Sequence, residues 1–433
     1  MNSLWVTNTH LPTFPRLETS IKTDVLIVGG GIAGILCAYA LSSAGVDCVL
    51  AEAKTICDGI TKNTTAKITL QHGLLYSKLV RRMGREAALL YYRAQKAACD
   101  RYADLCGEMD CDYTQADSYV YSPDDAEKIK EEAAALKLLG ADAFCTRHTE
   151  LPFPVAGAVG VRNQAHFHPL KFVSAISRHL PIYEHTKVQE LLPGRAATPH
   201  GDIRCKKIII ATHFPIDNKH GAYFAKLYQH RSYVLSLEGA EPPQGMYVDE
   251  TGTGLSFRKY GNQLLLGGGG HRTGKKGGGW DELESFARKY YPSAHITAKW
   301  ATQDCMSLDG VPYIGLYSRS TPDLYVATGF NKWGMTSSMV AATLLADLVQ
   351  GKKNPYARLF SPSRRMYKPQ LVSNLWESTV GLLTPTVPRC PHLGCALKYN
   401  PAEHSWDCPC HGSRFDSHGK LLDNPASDDK KRM

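Results

Sequence analysis

VLIVGGGIAGILCAYALSSAGVDCVLAEA, residues 25–53, is the stretch that decides the fold of most of this chain. Its first four residues are an apolar run typical of a strand buried on both faces. The residues after the glycines repeat apolar side chains at helical spacing until Gly45, and VDCVL then supplies a second buried strand. The pattern over residues 24–50 therefore predicts a strand–helix–strand unit with a glycine-rich turn.

This turn has the spacing of a dinucleotide-binding fingerprint. Gly29 permits the tight turn, Gly31 lets the backbone approach a pyrophosphate, and Gly34 lets helix and strand pack closely. The helix N-terminus offers amide donors, and Glu52 after the second strand can accept hydrogen bonds from ribose hydroxyls. The motif fits either FAD or NAD. Its position near the start of a chain that later returns to the same sheet favours FAD.

The residues after this unit are predicted to complete the first domain and then to form a linker. Strands are predicted at 206–214 and 322–330, and an antiparallel sheet over 228–270. Amphipathic helices are predicted at 84–110 and 124–139, and a long helix that ends at Gly351 is predicted after residue 334. Residues 352–389 are rich in proline and basic residues and show little periodicity, which predicts a surface linker.

Composition excludes several classes of protein. The net charge of +9 is spread over short segments without the aromatic residues that nucleic-acid binding would call for. No apolar run is long enough to cross a membrane, and the N-terminus does not resemble a secretory signal, so we expect a cytoplasmic protein without a membrane span.

The C-terminal end carries two short cysteine and histidine clusters, CPHLGC at 390–395 and CPCHGS at 408–413. Cys390, His392, Cys408 and His411 would suffice for a Cys₂His₂ zinc site. Each loop also holds one further cysteine and one glycine, which a zinc site does not need. Zinc and an iron–sulfur cluster are therefore the two alternatives.

These loops resemble the signature of Rieske [2Fe–2S] domains, in which two histidines replace two cysteines on one iron. The resemblance implies that Cys390 and Cys408 bind one iron and that His392 and His411 bind the other. It also implies a disulfide between Cys395 and Cys410 and a hydrogen bond from Ser413 to a cluster sulfur. Phe415 stands where high-potential members often have a tyrosine, which implies a somewhat lower potential.

The Rieske lobe departs from the family in its size. Only about 44 residues run from Cys390 to the last residue, and no strands are predicted before the first loop. Either the lobe leans on the preceding domain, or it is a reduced form with incomplete cluster occupancy.

Residues 20–352 resemble the D-amino-acid-oxidase-like flavoproteins. The resemblance rests on the fingerprint, on IIIATH at 208–213, and on the closing segments SLDGVPYIG at 307–315 and LYVATGFNKWGMTSSMVAATLLADL at 324–348. It implies an α/β fold, with a Rossmann-like FAD domain, an antiparallel-sheet substrate domain and a small, apparently truncated all-β Rieske lobe. The FAD-binding residues that it implies are Gly29, Gly31, Ala33, Gly34, Glu52, Ala53, Thr65, Ala66, Val188, Thr212, Gly329, Gly334, Met335 and Thr336.

The same resemblance suggests catalytic candidates, each with a plainer alternative. His271 stands where related amine oxidases have an active-site histidine, but it could be a surface residue. Arg258 could bind a carboxylate through two hydrogen bonds, or it could be a solvent-exposed arginine on a strand. Lys332 lies in the loop near the flavin, and Lys67 and His72 lie in the loop that passes the isoalloxazine.

The resulting domain boundaries are an oxidoreductase at 20–352, a linker at 353–385 and a Rieske lobe at 386–433. Within the first, the FAD-binding parts are about 20–80, 150–215 and 300–352, and the substrate parts are about 81–149 and 216–299.

The whole layout resembles a bacterial family that fuses an FAD oxidoreductase to a Rieske lobe. It implies oxidation of a small amine or amino-acid-like substrate, with FAD and a [2Fe–2S] cluster as cofactors and an external protein or quinone as electron acceptor. An NAD(P)H-driven reductase would need a second nucleotide fingerprint, which the sequence lacks. A non-catalytic redox sensor is the remaining alternative.

Overall fold

The computed structural model describes residues 3–217, 219–251, 254–364, 369–385 and 388–430. Its helices are α1 (Leu4–Thr7), α2 (Ile32–Ser43), α3 (Tyr76–Gly107), α4 (Ala126–Leu138), α5 (Pro169–Ser177), α6 (Tyr223–Lys226), α7 (Gly279–Tyr290), α8 (Gly334–Val349), α9 (Ala357–Phe360) and α10 (Pro369–Leu383), with a 3₁₀ turn at Ile60–Asn63.

Its strands are β1 (Ile21–Val28), β2 (Cys48–Ala51), β3 (Lys67–Ile68), β4 (Thr114–Ser122), β5 (Ala143–Thr146), β6 (Gly157–His166), β7 (Ile182–Tyr183), β8 (Glu190–Leu192), β9 (Arg195–Thr198), β10 (Gly201–Ile210), β11 (Leu227–Glu238), β12 (Met246–Asp249), β13 (Ser256–Tyr260), β14 (Gln263–Arg272), β15 (His295–Ser307), β16 (Tyr313–Leu316), β17 (Leu324–Thr328), β18 (Lys398–Asn400), β19 (Ser405–Asp407), β20 (Arg414–Phe415) and β21 (Leu421–Asp423).

The first sheet confirms the strand–helix–strand unit. Its strand order is β16-β17-β10-β1-β2-β7, and the pairs from β17 to β7 are parallel. The predicted strands at 206–214 and 322–330 are β10 and β17, so the chain does return to this sheet late. Helices α2 and α8 pack against each other on one face, where their apolar side chains join the largest hydrophobic core.

The second sheet has the order β15-β11-β14-β13-β12-β4-β6-β3, with β5 on the side of β6. The antiparallel sheet predicted over 228–270 is confirmed for β11, β14, β13 and β12, but β12 pairs with β4 in parallel. Strand β6 also belongs to this sheet, although it falls in the 150–215 segment that we assigned to FAD binding. A short apolar run does not reveal which sheet a strand will join.

The long helix α3 begins earlier than residue 84, where the sequence placed it. Gly84 interrupts the helical backbone with φ +84°, and helical geometry continues on both sides. The carboxylate of the buried Glu132, on α4, accepts hydrogen bonds from the backbone N–H groups of Tyr76 and Ser77 and so caps the new start. This cap comes from a distant part of the chain, which sequence reading could not pair with it.

The segment predicted to be an irregular linker contains helices α9 and α10, so this prediction was wrong for residues 357–360 and 369–383. The LVSNLWESTVGLL stretch of α10 does have apolar residues at helical spacing. The proline- and lysine-rich residues before it obscured that spacing. Among the helices of the described ranges, none has the length and apolarity to span a bilayer.

The C-terminal lobe is a third sheet with the order β18-β19-β20-β21, antiparallel throughout. Within residues 369–385 and 388–389 the structure places α10 before the first cysteine loop, and no strand. The short lobe packs against the second sheet. Packing on the preceding domain is the first of the two alternatives that the sequence left open for a lobe of this size.

A buried ion network fixes the lobe to the second sheet. The guanidinium of Arg414 on β20 contacts Asp407 at 3.0 Å, Asp423 at 2.9 Å and Glu403 at 2.8 Å. Arg231 on β11 donates two hydrogen bonds to the same Glu403. The Arg231 and Arg414 side chains are only 3% and 5% exposed. Charges so well removed from water must stay paired, so the network specifies one docking geometry.

We predict that Arg414→Met loosens the lobe, because it leaves buried carboxylates without a counterion. Breaking a buried pair in this way costs about 3–5 kcal/mol. Amide hydrogen exchange in β18–β21 should accelerate by about 100-fold or more. Arg195→Met, which breaks the exposed Arg195–Asp202 pair, is the control and should cost less than about 1 kcal/mol. Equal exchange in both variants would contradict this account of the docking.

Candidate functional site

A single large cavity of about 1440 Å³ runs from the glycine-rich turn to the docked C-terminal lobe. At the turn, Gly29 has φ +110°, and a Cβ on Gly34 would lie 1.9 Å from the Gly29 carbonyl oxygen. Both glycines are therefore required by the backbone itself. A Cβ on Gly31 would meet only the Thr61 hydroxyl, at 3.5 Å. Gly31 thus leaves space at the cavity wall for a ligand.

Glu52 stands beside this turn at the end of β2. One carboxylate oxygen accepts from the Gly30 N–H at 2.6 Å and the other accepts from the Lys54 N–H at 2.8 Å. Burial raises its pKa, and these two backbone hydrogen bonds partly offset the effect. Each oxygen keeps a further lone pair, so the fixed carboxylate can still accept from a ribose hydroxyl.

The cavity wall fits an extended dinucleotide because segments from distant parts of the chain contribute to it. Most of the predicted FAD-binding residues line it: Gly29, Gly31, Ala33, Glu52, Ala53, Thr65, Val188, Thr212, Gly329, Gly334 and Met335. Three others stand behind the wall. Gly34 packs on the turn, Ala66 is fully buried, and the Thr336 hydroxyl bonds to His72 and the Thr69 carbonyl. Their contribution is to hold the wall in place.

His72 lies in the loop between β3 and α3 and lines the cavity. Its Nε2 lies 3.0 Å from the Thr69 carbonyl, which can only accept, so Nε2 carries the proton and Tyr91 donates to Nδ1. The ring also stacks on Trp333 at 4.9 Å. Burial lowers the pKa of His72 to about 3. His72 is therefore a neutral, fixed part of the wall.

Lys67 on β3 is a second cavity residue that sequence reading singled out. Its ammonium donates to the Thr65 hydroxyl at 3.1 Å. Burial and then the nearby Arg258 charge lower its pKa to about 7. Lys67 can therefore lose its proton near neutral pH.

Arg258 does not face the cavity, so the structure contradicts its proposed role as a carboxylate clamp. It is fully buried behind the wall, where its guanidinium donates to the carbonyls of Thr65 and Phe167 and to Nδ1 of His166. These three hydrogen bonds point the guanidinium away from the cavity, and Arg258 contributes no surface to the cavity wall. Arg258 instead holds the loop that carries Lys67.

His271 is likewise not on the cavity wall. Its ring nitrogens are hydrogen-bonded to the Tyr233 hydroxyl at 3.0 Å and to the Arg272 carbonyl at 2.9 Å. Tyr233 in turn donates to Glu403 of the C-terminal lobe. His271 therefore supports the docking network rather than the cavity. It is neither an active-site histidine nor a surface residue, the two roles that the sequence left open.

The cavity wall near Lys332 contains polar residues that sequence reading missed. Tyr228 and His230 project from β11 and Thr302 and Asp304 from β15, each pair two residues apart on one strand face. Side chains alternate between the two faces of a strand, and this alternation was the sequence signal that could have placed each pair on one face. Burial raises the pKa of Asp304 and lowers that of Lys332, and the charge of each partly offsets the shift of the other.

Lys332 does line the cavity, as the sequence suggested, and its backbone is unusual. Asn331 and Lys332 have φ +53° and +72°, in the left-handed region that favours glycine. The Asn331 amide secures the turn by donating to the Gly329 carbonyl at 2.7 Å and accepting from the Ser307 N–H at 2.8 Å. The turn thus holds Lys332 against the cavity despite the backbone strain.

The two cysteine loops have matching backbone geometry. In the first, the Cys390 N–H donates to the Cys395 carbonyl and the Gly394 N–H donates to the Cys390 carbonyl. The second repeats this pattern between Cys408, Gly412 and Ser413. A disulfide joins Cys395 to Cys410 across the loops. The pairing leaves one cysteine and one histidine in each loop for a metal centre.

The remaining side chains fit a two-iron centre with two kinds of ligand. The Cys390 and Cys408 thiols are hydrogen-bonded neighbours, and the His392 and His411 rings lie 5.0 Å apart. The His411 ring is buried, and neither of its nitrogens has a hydrogen-bond partner among the described residues. Buried polar atoms of this kind call for a partner, and a metal ion supplies one. The close Cys395, Cys408 and Cys410 sulfurs do not form a separate site, because two of them are in the disulfide.

Helix α10 and strand β20 complete the surroundings of these loops. A Cβ on Gly381 of α10 would lie 2.5 Å from the Cys410 sulfur, so the helix packs directly on the disulfide. The buried Ser413 hydroxyl accepts from the Ala426 N–H at 2.9 Å and also hydrogen-bonds to the Cys390 thiol. Phe415 is fully buried in the lobe core and offers no hydroxyl.

The histidine side of the lobe faces the part of the chain that forms the two large sheets. The His392 ring lies 6.3 Å from Phe214, and the His411 ring lies 6.2 Å from Phe224. The Gln303 amide on β15 donates to the Gly412 carbonyl at 2.9 Å. The cluster loops therefore sit between their own sheet and the wall of the large cavity.

Comparison with known proteins agrees with both halves of this site. Residues 24–348 match the family described as FAD dependent oxidoreductase, and residues 370–432 match the Rieske [2Fe-2S] domain. A Bacillus subtilis (strain 168) protein named as a Rieske 2Fe-2S iron-sulfur protein, YhfW, is 34% identical over 98% of this chain and 95% of its own length.

Two more distant proteins resemble the first domain. Gamma-glutamylputrescine oxidoreductase of Escherichia coli (strain K12) is 24% identical over 79% of this chain and 87% of its own length. The crystal structure of glycine oxidase from Geobacillus kaustophilus superposes with a TM-score of 0.67 at 20% identity, covering 80% of this chain and 100% of that one. At this identity the second resemblance shows the fold alone.

We predict that Gly31→Ala removes dinucleotide binding without unfolding the protein. The added Cβ meets little protein but enters the space where the backbone approaches the ligand. Purified Gly31→Ala protein should contain less than about a tenth of the wild-type flavin. Gly107→Ala, where a Cβ meets nothing within 4 Å, is the control and should keep full flavin content. Full flavin in Gly31→Ala would contradict the assignment.

The buried neutral histidines predict loss of stability in acid. The folded-state pKa values of His72, His166 and His230 are lowered by burial to about 3, 2 and 3. The unfolded chain therefore binds more protons between these values and pH ~6.5, and the free energy of unfolding decreases as pH falls below ~6.5. At pH 5, His72→Gln should take up about one proton fewer on unfolding than the wild type. Equal proton uptake would show that His72 is charged in the folded state.

Proposed function

Because this chain belongs to the FAD-dependent oxidoreductase family and carries a Rieske [2Fe-2S] domain, we propose that it oxidises a small amino-acid-like substrate and passes the electrons through the cluster to an external acceptor. One observation carries the proposal: the cavity reached by Lys332 and Asp304 is also lined by Glu403 and Arg414 of the Rieske lobe. The proposed substrate site and the cluster lobe would thus share a wall. The names of the relatives, a gamma-glutamylputrescine oxidoreductase and a glycine oxidase, are compatible with an amino-group substrate.

The proposed cofactor residues divide between the two domains. The glycine turn, Glu52 and the turn before α8 would hold FAD, and Cys390, Cys408, His392 and His411 would hold the cluster. When bound, FAD supplies a two-electron acceptor and the cluster a one-electron carrier.

Substrate recognition in this proposal depends on one cation and one anion. The Lys332 ammonium would bind a substrate carboxylate, the role that the buried Arg258 cannot take. Asp304, whose pKa is raised by burial, would accept the ammonium proton of the substrate and leave a neutral amine. A neutral amine is the form from which a hydride can leave.

The overall reaction balances with an external oxidant. The substrate carbon loses a hydride, the nitrogen loses a proton, and the amine becomes an imine that water hydrolyses to an oxo acid and ammonia. Two electrons leave singly to a one-electron acceptor, and the two protons pass to solvent.

Residues 212–214 would form the link between the two centres. Thr212 lines the cavity, and its carbonyl accepts from the Asn424 amide of the Rieske lobe at 2.7 Å. His213 is hydrogen-bonded at 3.1 Å to Gln229, whose side chain packs on Gly412 of the second loop. Phe214 packs near His392. This segment touches the cavity on one side and the proposed iron ligands on the other.

The direct test is anaerobic mixing of the purified holoprotein with a panel of small amino acids, alkylamines and NADH, followed by the visible absorbance of the flavin. We expect an amino acid to bleach the flavin and the corresponding amine without a carboxylate to react at least tenfold more slowly. If NADH bleaches it and no amine or amino acid does, the proposed substrate class is wrong.

We further predict that Lys332→Gly weakens substrate binding but raises thermal stability. Removing the buried ammonium should raise KM for the reactive amino acid by about tenfold or more. Glycine also relieves the left-handed backbone at φ +72°, which costs other residues about 1–2 kcal/mol, so thermal stability should rise.

Lys332→Met is the matched control for this variant. It removes the charge but keeps the strained backbone, so we expect the same rise in KM without the gain in stability. An unchanged KM in both variants would remove Lys332 from the substrate site.

A further inference from the structure

Helix α10 turns its large apolar side chains to solvent. The exposed fractions of Val372, Trp376 and Leu383 are 68%, 67% and 77%. Leu375, Val380 and Leu382 are exposed beside them. A helix on the surface of a globular domain normally buries such residues against the core. We call these six residues, together with the exposed Leu393 of the first cysteine loop, the apolar face.

The side of α10 that packs on the protein is polar and small. Asn374 is 2% exposed, accepts from Arg272 at 3.0 Å and donates to the Ala225 carbonyl. Glu377, the one charged residue of the helix, pairs with Lys275 at 2.7 Å, and Gly381 packs on the disulfide. These specific contacts fix the orientation of α10, so its outward apolar face is built into the fold.

The apolar face is continuous with the cluster loop. A Cβ on Gly394 would lie 3.8 Å from the Leu382 side chain, and Leu393 beside it is 43% exposed. The face therefore extends from the helix to the residue that follows His392. Contiguous exposed apolar surface of this kind marks an interaction site.

Basic groups border this face. Lys276 is exposed beside the Lys275–Glu377 ion pair, and the Arg389 guanidinium donates to the Leu382 and Thr384 carbonyls at the C-terminal end of α10. The whole chain has a net charge of +9. An apolar strip with a basic border is complementary to the surface of an anionic bilayer.

From this geometry we propose that the apolar face binds the surface of an anionic lipid bilayer. Lipid tails need no hydrogen-bond partners, whereas a protein interface carries about one hydrogen bond per 100–200 Å². Among the described side chains of α10, the exposed polar ones are Ser373 and Thr379. The face therefore suits lipid better than a protein partner. In a symmetric contact with a second copy, the basic borders would lie close to each other and repel.

The helix lies in the plane of this surface and does not cross it. Its 15 residues span about 22 Å, less than the ~30 Å hydrocarbon core. Trp376 would sit at the level of the headgroups, where its ring finds both apolar and polar surroundings. Docking in this way brings the first cluster loop close to the lipid surface. The proposal does not depend on which substrate the cavity binds.

The test uses the holoprotein and vesicles of phosphatidylcholine with or without phosphatidylglycerol. We expect the wild type to sediment with the anionic vesicles, and the triple variant Leu375→Ser, Val380→Ser, Leu383→Ser to bind at least about tenfold more weakly. Leu138→Ser with Ile296→Ser, which changes two exposed apolar residues elsewhere, is the control and should bind like the wild type. The visible spectrum of each variant shows whether the cofactors, and hence the fold, are retained.

A second readout identifies the surface in contact. Brominated lipid should quench part of the tryptophan fluorescence of the wild type, and Trp376→Phe should lose that part. Absence of vesicle binding, or equal quenching in Trp376→Phe, would overturn the proposal. Light scattering tests whether a second copy of the chain covers the apolar face instead. A dimeric wild type together with a monomeric triple variant would also overturn the proposal, because the face would then be covered by a second copy.

Discussion

The buried ion network around Arg231 and Arg414 is the constraint on which the rest of the arrangement depends. Two guanidiniums from different domains share the Glu403 carboxylate, and Asp423 lies between them. Desolvated charges tolerate little displacement, because any partner that moves away leaves a buried charge uncompensated. The network therefore contributes specificity of docking more than net stability. It fixes which side of the small lobe faces the cavity.

The lobe needs this support because it is too small to bury a core of its own. Its sheet has four short strands, and its apolar cluster consists largely of the loop cysteines with Leu397, Phe415 and Ala426. Chains of this size usually need a metal, disulfides or a partner surface to stay folded. Here a disulfide closes the loops, and the second sheet of the larger domain supplies the partner surface. Among the described residues before the first loop, the lobe has helix α10 and this contact in place of further strands.

Local patterns predicted the parts of the structure that depend on local geometry. The glycine turn and the strands around it lie where the sequence placed them, because backbone sterics decide them. The loop disulfide lies where the resemblance to Rieske domains implied it. Arg258 and His271 were misplaced because the direction of a strand side chain depends on its neighbours in the sheet. Asp304 was overlooked because its significance comes from Lys332 on another segment. The outward apolar face of α10 could not be predicted either, since sequence periodicity does not reveal which side of a helix meets the protein.

We propose that the docked lobe receives electrons from the flavin domain. Rapid-freeze EPR can follow this transfer in the anaerobic holoprotein after mixing with the amino acid that bleaches its flavin. We expect the rhombic signal of a reduced Rieske cluster to appear as the flavin absorbance is lost, and we expect Phe214→Ala to delay the signal without slowing the bleaching. Flavin that bleaches fully while the cluster stays oxidised would contradict it.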